Sequence, residues 1–216
     1  MRPLTDEQPK PLVPVHGKPL IERHIENLRA AGVRDFVINL GWLGERLRAA
    51  LGDGARFDAR IRYSEEGWPA LETGGGILHA LPLLGAAPFL MVNGDVYADY
   101  PWPRLVERAR ALPEKAMARL VLVPNPPFHP NGDFTLRGDQ AGNGGEGRLT
   151  FSGISIQRPE LFAGHAPGKF PVLPLWRAAA ERGALEGERY DGLWSDVGTI
   201  ERLVALERQL SARAAS

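Results

Sequence analysis

Between Leu20 and Val92 the sequence alternates between helical and extended hydrophobic period, and this constrains the fold more than any other feature. Leu20, Ile21, His24, Ile25 and Leu28 recur at helical spacing within Leu20 to Ala31, and Gly32 follows where a helix commonly ends. Asp35 to Leu40 reads as a buried strand, Trp42 to Leu51 as a second helix, Arg60 to Tyr63 as a strand, Gly76 to Leu84 as a helix, and Pro88 to Val92 as a further apolar strand. Strands alternating with helices require right-handed crossovers, so the fold class is α/β, with a mostly parallel sheet and helices on both faces.

The pattern continues with a helix over Trp102 to Leu112 and a strand over Ala118 to Val123, and then changes character. Asn125 to Gly147 is rich in Gly, Pro and Asn and contains Asn131-Gly132 and Gly142-Asn143-Gly144-Gly145, which reads as a hairpin with a loose tip. Leu149 to Ile156 resumes as a strand. Val172 to Arg182 and Thr199 to Leu210 read as helices, and Ser211 to Ser216 is expected to fray. No repeat or linker interrupts the chain, so residues 1–216 are expected to form a single domain.

Charge and composition narrow the function. Twenty-six basic residues balance 26 acidic ones, so no global field draws in nucleic acid or an anionic membrane. The absence of cysteine excludes disulfides, thiolate nucleophiles and Cys-ligated zinc. Any metal would rest on Asp, Glu or His, which suits a hard cation such as magnesium. The longest apolar runs fall far short of a membrane span, and Met-Arg-Pro-Leu-Thr has no signal-like apolar region. The expected location is the cytoplasm.

Four segments carry candidate chemistry. Lys10 sits between Pro9 and Pro11 in a proline-stiffened stretch, where rigid flanks reduce the entropy lost when a lysine is held against an anion. It reads as a phosphate clamp or as a solvated surface lysine, and Arg2 and Lys18 share that ambiguity. Glu72-Thr73-Gly74-Gly75-Gly76 precedes a helical segment; its amides could approach a nucleotide without a Cβ in the way, or it could be a connector. Asp95 follows an apolar strand in Asn93-Gly94-Asp95, at the sheet end where α/β folds bind ligands, and reads as a magnesium ligand or a turn residue. Asp196 lies just ahead of the last helix, either as a second metal carboxylate or as a structural residue. The five histidines show no metal-ligand spacing.

In this order, the Arg-Pro-Leu-Thr, Pro-Lys-Pro-Leu-Val-Pro-Val, Gly-Lys-Pro-Leu-Ile, Glu-Thr-Gly-Gly-Gly, Asn-Gly-Asp and Trp-Ser-Asp-Val-Gly-Thr blocks resemble the sugar-1-phosphate nucleotidylyltransferases across nearly the whole chain. The likeness is strongest to the branch that uridylylates N-acetylmuramate 1-phosphate in cell-wall recycling, notably from Tyr63-Ser64-Glu65-Glu66-Gly67 to Asp95. The resemblance implies a Rossmann-like sheet that converts UTP and a sugar 1-phosphate into UDP-sugar and pyrophosphate. It implies that Lys10 contacts the triphosphate, that Asp95 and Asp196 bind magnesium, and that Glu72, Thr73, Gly74 and Gly75 lie against nucleotide or sugar. Arg2 and Asn93 join the substrate-binding set, and Gly153 and Asp191 belong near the sugar.

Members of that family carry a buried strand and a Gly-x-Gly-x-Arg loop ahead of the Arg-Pro-Leu-Thr block, with which this sequence opens. The resemblance therefore implies a domain incomplete at its N-terminus, with the first strand absent and Met1 internal to a longer protein. Two other substrate pairs remain open: GTP with mannose 1-phosphate, and dTTP with glucose 1-phosphate. A non-catalytic binder of a nucleotide sugar is the alternative of another class.

Overall fold

The computed structural model describes residues 1, 4–67 and 69–214, so Arg2 lies outside the described residues. Its elements run α1 (Leu4–Glu7), β1 (Pro14–Val15), β2 (Lys18–Pro19), α2 (Leu20–Ala30), β3 (Asp35–Leu40), α3 (Gly44–Leu51), β4 (Arg60–Glu65), α4 (Glu72–Leu84), β5 (Phe89–Val92) and β6 (Val96–Ala98). They continue with α5 (Trp102–Arg110), β7 (Ala118–Val123), β8 (Thr135–Arg137), β9 (Gln140–Gly142), β10 (Thr150–Gln157), α6 (Leu173–Glu181), β11 (Leu185–Arg189), β12 (Trp194–Asp196) and α7 (Ile200–Ala214). No helix among the described residues is long and apolar enough to cross a membrane.

The main sheet has six strands in the order β5-β10-β7-β11-β9-β8. β7 is apolar and buried along its whole length, and alternate side chains serve opposite faces. Leu120 and Leu122 pack with Phe134, Phe162 and Trp176 on one face. Val121 joins Ile154, Ile156, Tyr100 and Trp102 on the other. α6 and α5 cover these two faces, which is the layered α/β architecture expected of the sequence.

The expected parallel pairing is present between β7 and β11 and between β3 and β4. β10 runs antiparallel to both β5 and β7, so the sheet is mixed. The reason is the connection: β7 leads to β10 through the hairpin-bearing segment 124–149 and no covering helix, so the chain turns back beside itself. β3 and β4 form a separate parallel pair, and a cavity of about 1050 Å³ separates β3 from β5. Side chains from both faces of β3, such as Phe36 and Val37, line it.

Several expected boundaries move, three of them for a visible reason. α3 begins at Gly44 because Leu43 adopts a left-handed conformation, φ 56°, that cannot continue a helix backwards. α4 begins at Glu72, taking the glycine run into its first turns. α7 extends to Ala214, where fraying was expected, because its last turns are tied down. Arg213 Nη1 lies 2.5 Å from Asp99 Oδ2, and Ser211 Oγ lies 3.1 Å from His16 Nε2.

Candidate active site

β5 ends in the Asn93-Gly94-Asp95 turn that leads into β6. The Asn93 N–H donates to the Gly153 carbonyl at 2.8 Å, which fixes the turn to β10. At Gly94 a Cβ would meet Pro11 Cγ at 2.8 Å, so only glycine lets the turn seat against the proline-flanked segment. There a 3₁₀ turn, Lys10–Leu12, delivers Lys10, whose Nζ stands 3.4 Å from Asp95 Oδ2.

Asp196 arrives from the other end of the chain. β12 pairs antiparallel with β6, setting Asp196 opposite Val96, and Val197 N–H donates to the Asp95 carbonyl at 2.8 Å. Asp95 and Asp196 thereby face a common pocket of about 330 Å³, together with Asn93 and Gly153. Each carboxylate has its own cation: Lys10 for Asp95, and Arg202, with Nη1 3.1 Å from Oδ2, for Asp196.

Gly153 lies in an irregular stretch of β10, where the register against β7 shifts between Phe151 and Ser155. Its φ is +85°, and a Cβ would meet Val96 Cγ1 at 2.9 Å and Asn93 Cβ at 3.1 Å. A bulge of this kind re-aims backbone groups at a sheet rim. Trp194 Nε1 donates to the neighbouring Ser152 carbonyl at 2.7 Å and closes that wall.

The other expected residues divide. Glu72 and Thr73 line the larger cavity with Asn39, Glu66 and Asn93, so Asn93 borders both spaces. Gly74 and Gly75 are buried. A Cβ on Gly74 would meet Phe170 Cδ2 at 2.5 Å, one on Gly75 would run into the Gly168 carbonyl oxygen, and the Gly75 N–H already donates to Phe170 O at 3.1 Å. The glycines thus admit close approach of the 168–170 segment, and Gly75 presents its amide to protein. Asp191 is exposed, bonded to Arg189 Nε at 2.8 Å, and is not among the residues lining the pocket.

Gly75→Ala tests this packing by the sign of its effect. In an open helix the change gains about 1 kcal/mol. Against an immovable carbonyl, overpacking costs about 1 to 3 kcal/mol, so a net loss of up to about 2 kcal/mol is expected in urea unfolding. A stabilised variant would show that the 168–170 segment does not bear on the helix.

Sequence reasoning passed over Phe128, His129, Phe151 and Trp194 as pocket residues. Phe128 and His129 come from the segment read as a loose tip, which the structure shows to be pinned. Asn125 Nδ2 donates to the Pro130 and Arg148 carbonyls, both at 3.0 Å, and its Oδ1 accepts from Thr150 Oγ1 at 2.9 Å. Asn143 Nδ2 anchors the glycine-rich tail of the hairpin on the Arg177 carbonyl at 2.9 Å. The available signal was an aromatic-histidine pair inside a Pro/Asn-rich loop that has no core to join.

Residues 1–137 match the family model described as nucleotidyl transferase. The N-acetylmuramate alpha-1-phosphate uridylyltransferase of Neisseria meningitidis serogroup B is 49% identical, covering 94% of this chain and 90% of its own. The chain belongs to the sugar-1-phosphate nucleotidyltransferase family. A Caulobacter vibrioides protein of the same name is 36% identical to this nucleotidyltransferase over 98% of the chain and 92% of its own length. The crystal structure of HddC from Yersinia pseudotuberculosis complexed with GMP-PN shares its fold, with a TM-score of 0.75 at 19% identity, covering 97% of this chain and 93% of that one.

The donor set of this nucleotidyltransferase fits magnesium. No group of three or more His, Cys, Asp or Glu side chains is placed to hold a metal among the described residues. Magnesium commonly takes only one or two protein carboxylates and completes its shell with substrate phosphates and water. Two oxygen donors on one pocket, each held by a displaceable cation, meet that requirement.

Proposed function

We propose that this enzyme transfers the uridylyl group of UTP to N-acetylmuramate α-1-phosphate, giving UDP-N-acetylmuramate and pyrophosphate, in the cytoplasm. The observation that carries the reading is the 49% identity over 94% of the chain to a protein of that name. The convergence of Lys10, Asp95, Asp196, Asn93 and Gly153 supports it, because it is the arrangement such a reaction needs.

An anionic oxygen of the sugar phosphate attacks the α-phosphorus of UTP. The bond to the β-phosphate bridge breaks, and its electron pair leaves with pyrophosphate. The nucleophile is already ionised, so no general base is required; the task is to hold two polyanions in line and offset their repulsion. In this reading Lys10 meets the triphosphate, its ammonium exchanging Asp95 for phosphate oxygens. Asp95 and Asp196 would hold magnesium, which when bound stabilises charge on the attacking and leaving oxygens. Asn93 and Gly153 orient the sugar phosphate at the bulged wall, and Glu72 and Thr73 face the nucleotide from the larger cavity.

Pyrophosphate release with UTP, GTP and dTTP, each against N-acetylmuramate 1-phosphate, mannose 1-phosphate and glucose 1-phosphate, tests the assignment. The largest kcat/KM is expected for UTP with N-acetylmuramate 1-phosphate. A larger value for another pair would reassign the substrates, and binding of a nucleotide sugar with no release from any pair would make the chain a binder.

A further inference from the structure

Arg202 touches two residues that line the smaller pocket, Asp196 and Phe128, and its pairing with Asp196 does not explain the second contact. Its Cζ lies 4.2 Å over the ring of Phe128, which lines that pocket and is 52% exposed. Thr199 Oγ1 accepts from the Arg202 N–H at 3.2 Å and fixes the start of α7. At Gly198 a Cβ would stand 2.9 Å from Asp196 Oδ1 and against Arg202 Nη2, so the guanidinium and the carboxylate pack directly over the Gly198 backbone. One guanidinium nitrogen is spent on Asp196, and the others have no acceptor among the described residues. Two separate chain segments thus hold a planar fork of N–H donors against two side chains that line the pocket.

Resting on the reading above, the substrate supplies an acceptor. N-acetylmuramate 1-phosphate carries two anionic groups, the phosphate and the carboxylate of its lactyl ether, and N-acetylglucosamine 1-phosphate is the same molecule without the lactyl group. With both aspartates committed to magnesium and Lys10 to the phosphate, a second substrate anion at this pocket needs a further cation opposite it. Lys10, on Asp95, serves the phosphate side. His129, the one basic residue among those lining the pocket, is engaged by Asp133 at 3.0 Å. We propose that Arg202, stacked on Phe128, is a specificity-determining residue that receives the lactyl carboxylate and so selects N-acetylmuramate 1-phosphate over sugar phosphates without a second anion. A stacked guanidinium presents carboxylate-matched donors in a fixed plane, which a lysine cannot do.

The test measures kcat and KM separately on N-acetylmuramate 1-phosphate and N-acetylglucosamine 1-phosphate for the wild type, Arg202→Gln and Arg202→Lys. Calorimetry with free N-acetylmuramate and N-acetylglucosamine reads binding without turnover. Arg202→Gln is expected to raise KM for N-acetylmuramate 1-phosphate about 30-fold, the loss of one charge-assisted interaction, with a change of less than about threefold for the other sugar. Arg202→Lys should fall between, and Arg202→Gln should lose the calorimetric preference for N-acetylmuramate. Equal losses on both substrates would overturn the proposal, leaving Arg202 as a partner of Asp196 or of the shared phosphate. A variant that keeps the wild-type preference would overturn it while leaving the proposed reaction intact. A wild type that turns over neither sugar but accepts another 1-phosphate would sink both.

Discussion

Asp95→Asn is expected to lower turnover about a thousandfold at saturating magnesium, which corresponds to about 4 kcal/mol of lost transition-state stabilisation. The amide keeps the shape of the side chain but removes the charge that faces the pocket beside Asn93 and Asp196. Folding should survive. The Lys10–Asp95 pair is 44% and 32% exposed, and such pairs contribute about 1 kcal/mol or less to stability. Urea unfolding of the variant should therefore stay within about 1 kcal/mol of the wild type while pyrophosphate release collapses. Turnover close to wild type would remove Asp95 from the mechanism.

A steep acid destabilisation is the second expected result, and its source is His24. The buried ring lies on the core-facing side of α2, packed edge-on against Trp102. Burial lowers its pKa from 6.5 to about 4, and the Val96 backbone and the nearby Asp95 carboxylate offset only part of that. Because the folded-state value is depressed for a base, the unfolded chain binds the extra proton between these two values. Stability is then fully present above about pH 6.5 and falls as the pH drops toward 4, by about 3 kcal/mol in all. His24→Leu should remove this component, so unfolding free energies measured from pH 4 to 7 should show a slope smaller by about one proton. Equal slopes for variant and wild type would show that His24 is not held neutral.

Much of the architecture was legible because period-2 and period-3.6 patterns act locally. β3 and β7 fall where DFVINL and ARLVLV place them, and α2 buries Leu20, Ile21, His24, Ile25 and Leu28 as its spacing requires. The antiparallel course of β10 was less accessible, because pairing direction depends on what the connection crosses. The start of α4 escaped for a related reason. Three glycines argue against a helix on propensity alone, and the gain from packing against Phe170 and Gly168 lies nearly a hundred residues away in the chain.

Local chemistry by itself determined which residue types could serve: a proline-braced Lys10, a strand-end Asp95, a second carboxylate at Asp196 and no thiol anywhere. Only the tertiary structure decided which of them meet. The pairing of β12 with β6 brings the two carboxylates to one pocket, the Asn125 clasp presents Phe128 and His129 to it, and Asp191 is left on an exposed ion pair. The physical reason is that a side chain's type is written residue by residue, whereas its neighbours across space are set by strand register and by close approaches that only a folded chain contains.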